Sequence, residues 1–138
     1  MTHKERPAVF GPRRSMLGVW CEGSTQTTLP TVLFINSGVI HRVGASRLHV
    51  RLARALAERG FPSLRFDLSG IGDSAAPAEA IALREVVAAD IRHALDFARA
   101  RRGVSGAVLA GLCSGARDGL EAAVRDPDVV GLVAIDLI

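Results

Sequence analysis

The chain has 138 residues, 49% of them apolar and 22% charged, with a net charge of +3. That balance excludes a disordered tail and fits one domain, burying about two-thirds of the surface its unfolded chain exposes. Two cysteines, Cys21 and Cys113, cannot make a disulfide framework or a CxxC site, so neither a metal nor a cofactor is expected. Lys4 is the only lysine, the arginines are scattered, aromatics are 4% and tyrosine is absent, which argues against a nucleic-acid surface. No apolar stretch reaches the length of a membrane span, and no signal-type apolar core opens the chain. A cytoplasmic address is the expectation.

Residues 1–9 read as a flexible tail. Ser15 to Glu22 then reads as a strand or hairpin that enters a polar turn at Gly23-Ser24-Thr25. Thr31 to Asn36 is a short apolar run without polar alternation, the pattern of a strand buried on both faces. A loop over Ser37–Ala45 follows, and Ser46 is placed to N-cap a helix reaching Arg59. In that helix Leu48, Leu52 and Leu56 make an inward stripe, with Arg47, Arg51, Arg54 and Glu58 opposite. Ser63 to Asp67 is the next strand, and Leu68–Ala76 the next loop. A long helix from near Pro77 to Ala100 carries a stripe of Leu83, Val87, Ile91, Leu95 and Ala98. A strand at 107–110, a helix to about Arg125 and a last apolar strand, Val129 to Ile138, complete the order.

Strands and helices in alternation predict an α/β fold, a mostly parallel sheet with helices on both faces. Ligands of such sheets bind outside the carboxyl ends of the strands, where the loops 37–45, 68–76 and 111–115 emerge. The last of these, Gly111-Leu-Cys-Ser-Gly115, has the form small-x-nucleophile-x-small between a strand and a helix. Centring the turn on Cys113 puts glycine two residues away on each side, whereas centring it on Ser114 would put Leu112 there. Cys113 is therefore the better nucleophile, the alternative being a buried, inert cysteine in a glycine-flanked turn. A helix N-terminus at this place favours a thiolate. Gly70 to Ala75 also fits a dinucleotide-binding pattern, but Asp90, at the distance of the required acid, falls inside a helix and Pro77 delays the helix start.

The stretch Asp67-Leu-Ser-Gly-Ile-Gly-Asp-Ser74 resembles the D-x-R-G-x-G-x-S loop of α/β-hydrolases, with Ser69 where arginine is usual. Asn36-Ser-Gly38 takes the place of their oxyanion-loop HG motif, and Gly111-Leu-Cys-Ser-Gly115 that of G-x-S-x-G. More narrowly, Arg42-Val-Gly44, Arg47, Leu52-Ala-Arg54, Leu64-Arg-Phe-Asp67 and Gly111-Leu-Cys113 resemble the hydrolases associated with bacterial exosortase A. The resemblance implies nucleophilic hydrolysis of a small acyl substrate, an ester or thioester. It makes Cys113 the nucleophile, and Ser114 with Gly38 or Val39 the donors of oxyanion-binding N–H groups. His41 and Ser69 are then candidates to line the substrate cleft. Asp136, at the end of the last strand, could correspond to an acid position in some members of the family, but reads rather as a strand-terminal polar group. No histidine follows Cys113, where the family carries its base. The expectation is an N-terminal part of a hydrolase, one partial domain over 1–138, whose exposed edge strand offers a surface for self-association. A non-catalytic binding or accessory protein that keeps the fold is the alternative.

Overall fold

The computed structural model describes residues 4–25, 28–77, 79–102 and 106–137. Their elements run β1 (Glu5–Phe10), β2 (Met16–Cys21), β3 (Thr31–Phe34), α1 (Leu48–Glu58), β4 (Ser63–Phe66), α2 (Leu83–Arg102), β5 (Ala107–Leu112), α3 (Ser114–Arg125) and β6 (Val129–Ile135). The strands form one six-stranded sheet in the order β1-β2-β4-β3-β5-β6. β2 pairs antiparallel with β1 and β4, while β4, β3, β5 and β6 are parallel. This is the expected α/β architecture, with an antiparallel hairpin added at one edge.

The apolar runs lack polar alternation because both faces of the sheet are covered. All four residues of β3 are buried. Leu33 and Leu109 point into a core shared with Trp20, Leu64 and Phe66 and with Ile91, Ala94, Leu95 and Ala98 of α2. Val32 and Phe34 point the other way, to Cys21 and to Ala53 of α1. Helix α3 shares the α2 side, where Gly119 lies against Ile35, Leu109 and Leu132.

Several expectations fail at element ends, each for a tertiary reason. Residues 5–9 are strand rather than tail: β1 pairs with β2 from Glu5↔Cys21 to Phe10↔Met16. Arg54 and Arg65 hold the Glu5 carboxylate at 2.9 and 3.0 Å. Residues 1–3 of the expected tail lie outside the described residues, as does Ile138 of the last strand. Ser46 caps nothing; it and Arg47 take left-handed φ values of 51° and 59°, and α1 starts only at Leu48. The delayed start rotates the helix, so His49, Val50 and Ala53 are buried while Leu52 is 37% exposed. Helix α2 starts at Leu83, not near Pro77, with the Ala82 carbonyl accepting the first-turn N–H of Val86. Leu83 is thus exposed, and the buried stripe begins at Val86. β6 ends at Ile135 and forms the outer edge of the sheet, with Val130, Val133 and Ile135 exposed.

Candidate active site

The chain leaves β3 through α1 toward β4 on one side, and leaves β5 through α3 toward β6 on the other. The two carboxyl ends where this divergence occurs are neighbours, the place where open α/β sheets hold ligands. One loop there is 36–45; the other is the corner at Cys113. Cys113 has φ 54° and ψ −117°, a conformation that costs a non-glycine residue about 1–3 kcal/mol. The corner closes because its flanks carry no side chains. A Cβ on Gly111 would overlap the Gly115 carbonyl, and one on Gly115 would lie 2.7 Å from the Asn36 carbonyl oxygen. The turn is thus centred on Cys113 and not on Ser114.

The Cys113 thiol donates a hydrogen bond to Oδ2 of Asp136 at 3.3 Å. Parallel pairing of Leu112 with Ile135 brings the two residues side by side, and the Cys113 N–H donates to the Ile135 carbonyl at 3.0 Å. The hydrogen bond to Asp136 pushes the thiol pKa above its ordinary value, with burial and the carboxylate charge adding and Ser37 opposing. The helix N-terminus foreseen to favour a thiolate is present, yet this carboxylate works against it.

Ser114 opens α3, so its own N–H has no acceptor within the helix. Its hydroxyl accepts the Gly38 N–H at 2.7 Å, which joins the two loops across the crevice. Cys113, Ser114 and Gly38 are therefore brought together, and Val39 follows in the same loop, 88% exposed.

His41 and Ser69 are committed elsewhere. His41 Nε2 lies 3.2 Å from Asp73 and 4.0 Å from Asp67. Ser69 donates its N–H and its hydroxyl to Asp90, at 2.7 and 2.9 Å. Burial pushes the Asp90 carboxyl above its ordinary range, against the pull of those two bonds. Ser69, Asp90 and His93 line a cleft of about 700 Å³ between the β1–β2 turn and α2, and Cys113 is not among its lining residues.

The centre of the loop after β4 is Asp67, whose solvent exposure is zero. Its carboxylate accepts from Asn36 Nδ2 (3.2 Å), the Arg42 N–H (2.8 Å), Arg42 Nη1 (2.6 Å) and the Asp73 N–H (3.1 Å). Arg42 also reaches Asp73 at 2.7 Å and, with His41, holds that carboxyl below its usual range. His41, Asp67 and Asp73 offer three atoms within 4.8 Å of one another, a spacing a metal ion would accept. The Arg42 guanidinium, bonded to both carboxylates, already supplies the positive charge there. Sequence reading missed the parts of Asn36, Arg42 and Asp73 in this cluster, for which the acidic Asp67-to-Asp73 spacing was the available signal; Asp136, weighed as an acid position, lies at the thiol.

No family model matches this sequence, and no curated protein matches it. Solved structures do. A hypothetical protein of Pseudomonas aeruginosa superposes with a TM-score of 0.81 at 22% identity, over 99% of this chain and 43% of that one. A putative α/β hydrolase of Agrobacterium tumefaciens gives 0.75 at 22% identity, over 97% and 60%. A cold-adapted esterase from an Arctic intertidal metagenomic library gives 0.70 at 21% identity, over 96% and 59%. The chain therefore has the α/β-hydrolase fold and spans 43–60% of the length of these three structures.

Proposed function

We propose that this chain carries the nucleophile and oxyanion-binding elements of a cytoplasmic acyl hydrolase, acting on a small ester or thioester in the manner of the exosortase-associated hydrolases its motifs resemble. The observation that carries the reading is the strained corner at Cys113, clamped between Gly111 and Gly115 where the strands diverge. Strain of this kind persists where the fold over-determines it, and it clusters at working sites. In the proposed reaction the Cys113 sulfur attacks the substrate carbonyl carbon. The thiol proton goes to the departing alcohol or thiol, and water then cleaves the acyl–sulfur bond to release the acid. The Ser114 N–H, with that of Gly38 or Val39, meets the charge developing on the carbonyl oxygen. The Ser114 hydroxyl, now bonded to the Gly38 N–H, must first swing away.

Two observations favour a second reading, a binding protein without turnover. The thiol donates to a carboxylate, and His41 is turned to Asp73. An acyl-adduct experiment separates the two readings. The whole chain is incubated with an activated short-chain thioester and digested, and the peptides are weighed. The hydrolase reading expects an acyl group on Cys113 that decays with time and is absent in Cys113→Ala. An unmodified Cys113 beside saturable binding of the same thioester would leave the binding reading standing.

A further inference from the structure

Asp136 is the group the hydrolase reading leaves without a task, and its position is unusual. It follows the last residue of β6, takes a left-handed φ of 54°, and is exposed. Its carboxylate touches the sulfur of a residue bent to the same φ at the end of the neighbouring strand. The strained Cys113 and the left-handed Asp136 face each other across one hydrogen bond because the β5–β6 register sets their strands side by side.

We infer that Asp136 is a positioning residue which holds the Cys113 thiol through its hydrogen bond, and which makes the site select acyl substrates bearing a positive charge beside the reacting carbonyl. The inference rests on the hydrolase reading for the word substrate, but its physics needs only the two side chains. The Asp136 carboxylate lies 3.3 Å from the sulfur. It opposes formation of a second negative charge there. The hydroxyl of Ser37, from the loop after β3, acts in the other sense and is uncharged. The other charged groups of the neighbouring elements are Arg117 and Asp118 on α3 and His41, Arg42 and Asp73 on the loops after β3 and β4. Arg42 is in any case neutralised by Asp67 and Asp73. A cation arriving with the substrate would pair with Asp136, remove its hold on the proton and leave a freer thiolate. An anionic substrate would meet repulsion at the moment the thiolate forms.

The test uses three small thiosulfonate reagents of different charge, a cationic aminoethyl, a neutral methyl and an anionic sulfonatoethyl compound, each rate being divided by that reagent's rate with a free small-molecule thiol. Modification of Cys113 in the whole chain is followed by mass spectrometry, which separates it from the buried Cys21. The expected order is cationic, neutral, anionic, with about 3- to 10-fold between steps at low ionic strength and convergence at high salt. Asp136→Asn should level the three rates and move the midpoint of the pH–rate profile of the neutral reagent downward. Asp136→Glu, which keeps the charge, should restore the order. Equal rates in the unmodified chain, or an order and midpoint that survive Asp136→Asn, would overturn the inference. The readout needs no turnover, so a chain that never forms an acyl adduct can still pass it, and an active one can still fail.

Discussion

Two loops meet at the carboxyl ends of the sheet, and they are built on opposite principles. The loop after β4 is organised by Asp67, a fully buried carboxylate with four hydrogen bonds, one of them from a guanidinium. The corner after β5 has the reverse character, a backbone in a costly conformation and a thiol bonded to an exposed carboxylate. A buried charge that satisfies its neighbours makes a rigid wall, since every partner would be left unpaired by its removal. A strained residue held by its flanks keeps its side chain ready for something else. On the proposed hydrolase reading the rigid loop is scaffolding and the strained corner carries the chemistry, although the acidic cluster offers more titratable groups.

The largest expected effect breaks the scaffold. Asp67→Ala removes the acceptor for Asn36, Arg42 and Asp73 and strands a largely buried guanidinium. Deleting one partner of a buried pair costs about 3–5 kcal/mol. Urea unfolding should show that loss in the midpoint. A cost below about 1 kcal/mol would mean that Asp73 alone satisfies Arg42 and that the wall is not rigid.

Cys113→Gly should act with the opposite sign. Glycine accepts the φ of 54° freely, and relief of strain worth about 1–3 kcal/mol outweighs a backbone-entropy cost of about 0.5–1 kcal/mol. The expected result is a chain more stable by about 1 kcal/mol that forms no acyl adduct. Were the variant less stable than the parent, the corner would not be storing strain and the comparison would lose its second half.

Ser114→Ala frees the Gly38 N–H without touching the corner. One neutral hydrogen bond is worth about 0.5–1.5 kcal/mol net, so acylation of Cys113 should speed up by about 2- to 10-fold. A slower acylation, at unchanged stability, would show that the hydroxyl assists the reaction instead of occupying the place of the substrate oxygen.

How far these two loops could be read from the chain differs as well. The corner was legible, because glycine at 111 and 115 with leucine at 112 admits one register about Cys113, and the mostly parallel α/β sheet followed from apolar runs that need two covered faces. The pairing of Cys113 with Asp136 was not legible. Those residues are far apart in the chain and become neighbours only through the parallel register of Leu112 with Ile135. The phase of α1 was hidden as well: Ser46 and Arg47 are left-handed, α1 starts at Leu48, and His49 is buried while Leu52 is exposed. β1 escaped notice because Glu5 and Arg6 look like a polar tail until β2 and the arginines of α1 and β4 are beside them.

His49 gives the smallest effect and the one that joins the two regions. Its ring stacks on Phe34 of β3, with centroids 5.1 Å apart, and its Nδ1 lies 3.3 Å from the carbonyl of Arg42, the residue that reaches Asp67. Burial pushes its pKa below the ordinary 6.5, against the pull of that carbonyl. The unfolded chain therefore takes up the proton first as pH falls. Stability from the neutral ring is complete above about pH 6.5 and is lost as pH falls toward the folded-state pKa, by at most about 1.4 kcal/mol per pH unit. His49→Phe keeps the stacking partner and removes the proton site. Unfolding midpoints of the two chains, measured from pH 7.5 downward, should then run parallel above about 6.5 and diverge below it, with the variant flatter. Identical slopes would mean that the ring is protonated equally easily in the folded chain, and that the base of the 36–45 loop is open to water, not sealed against β3.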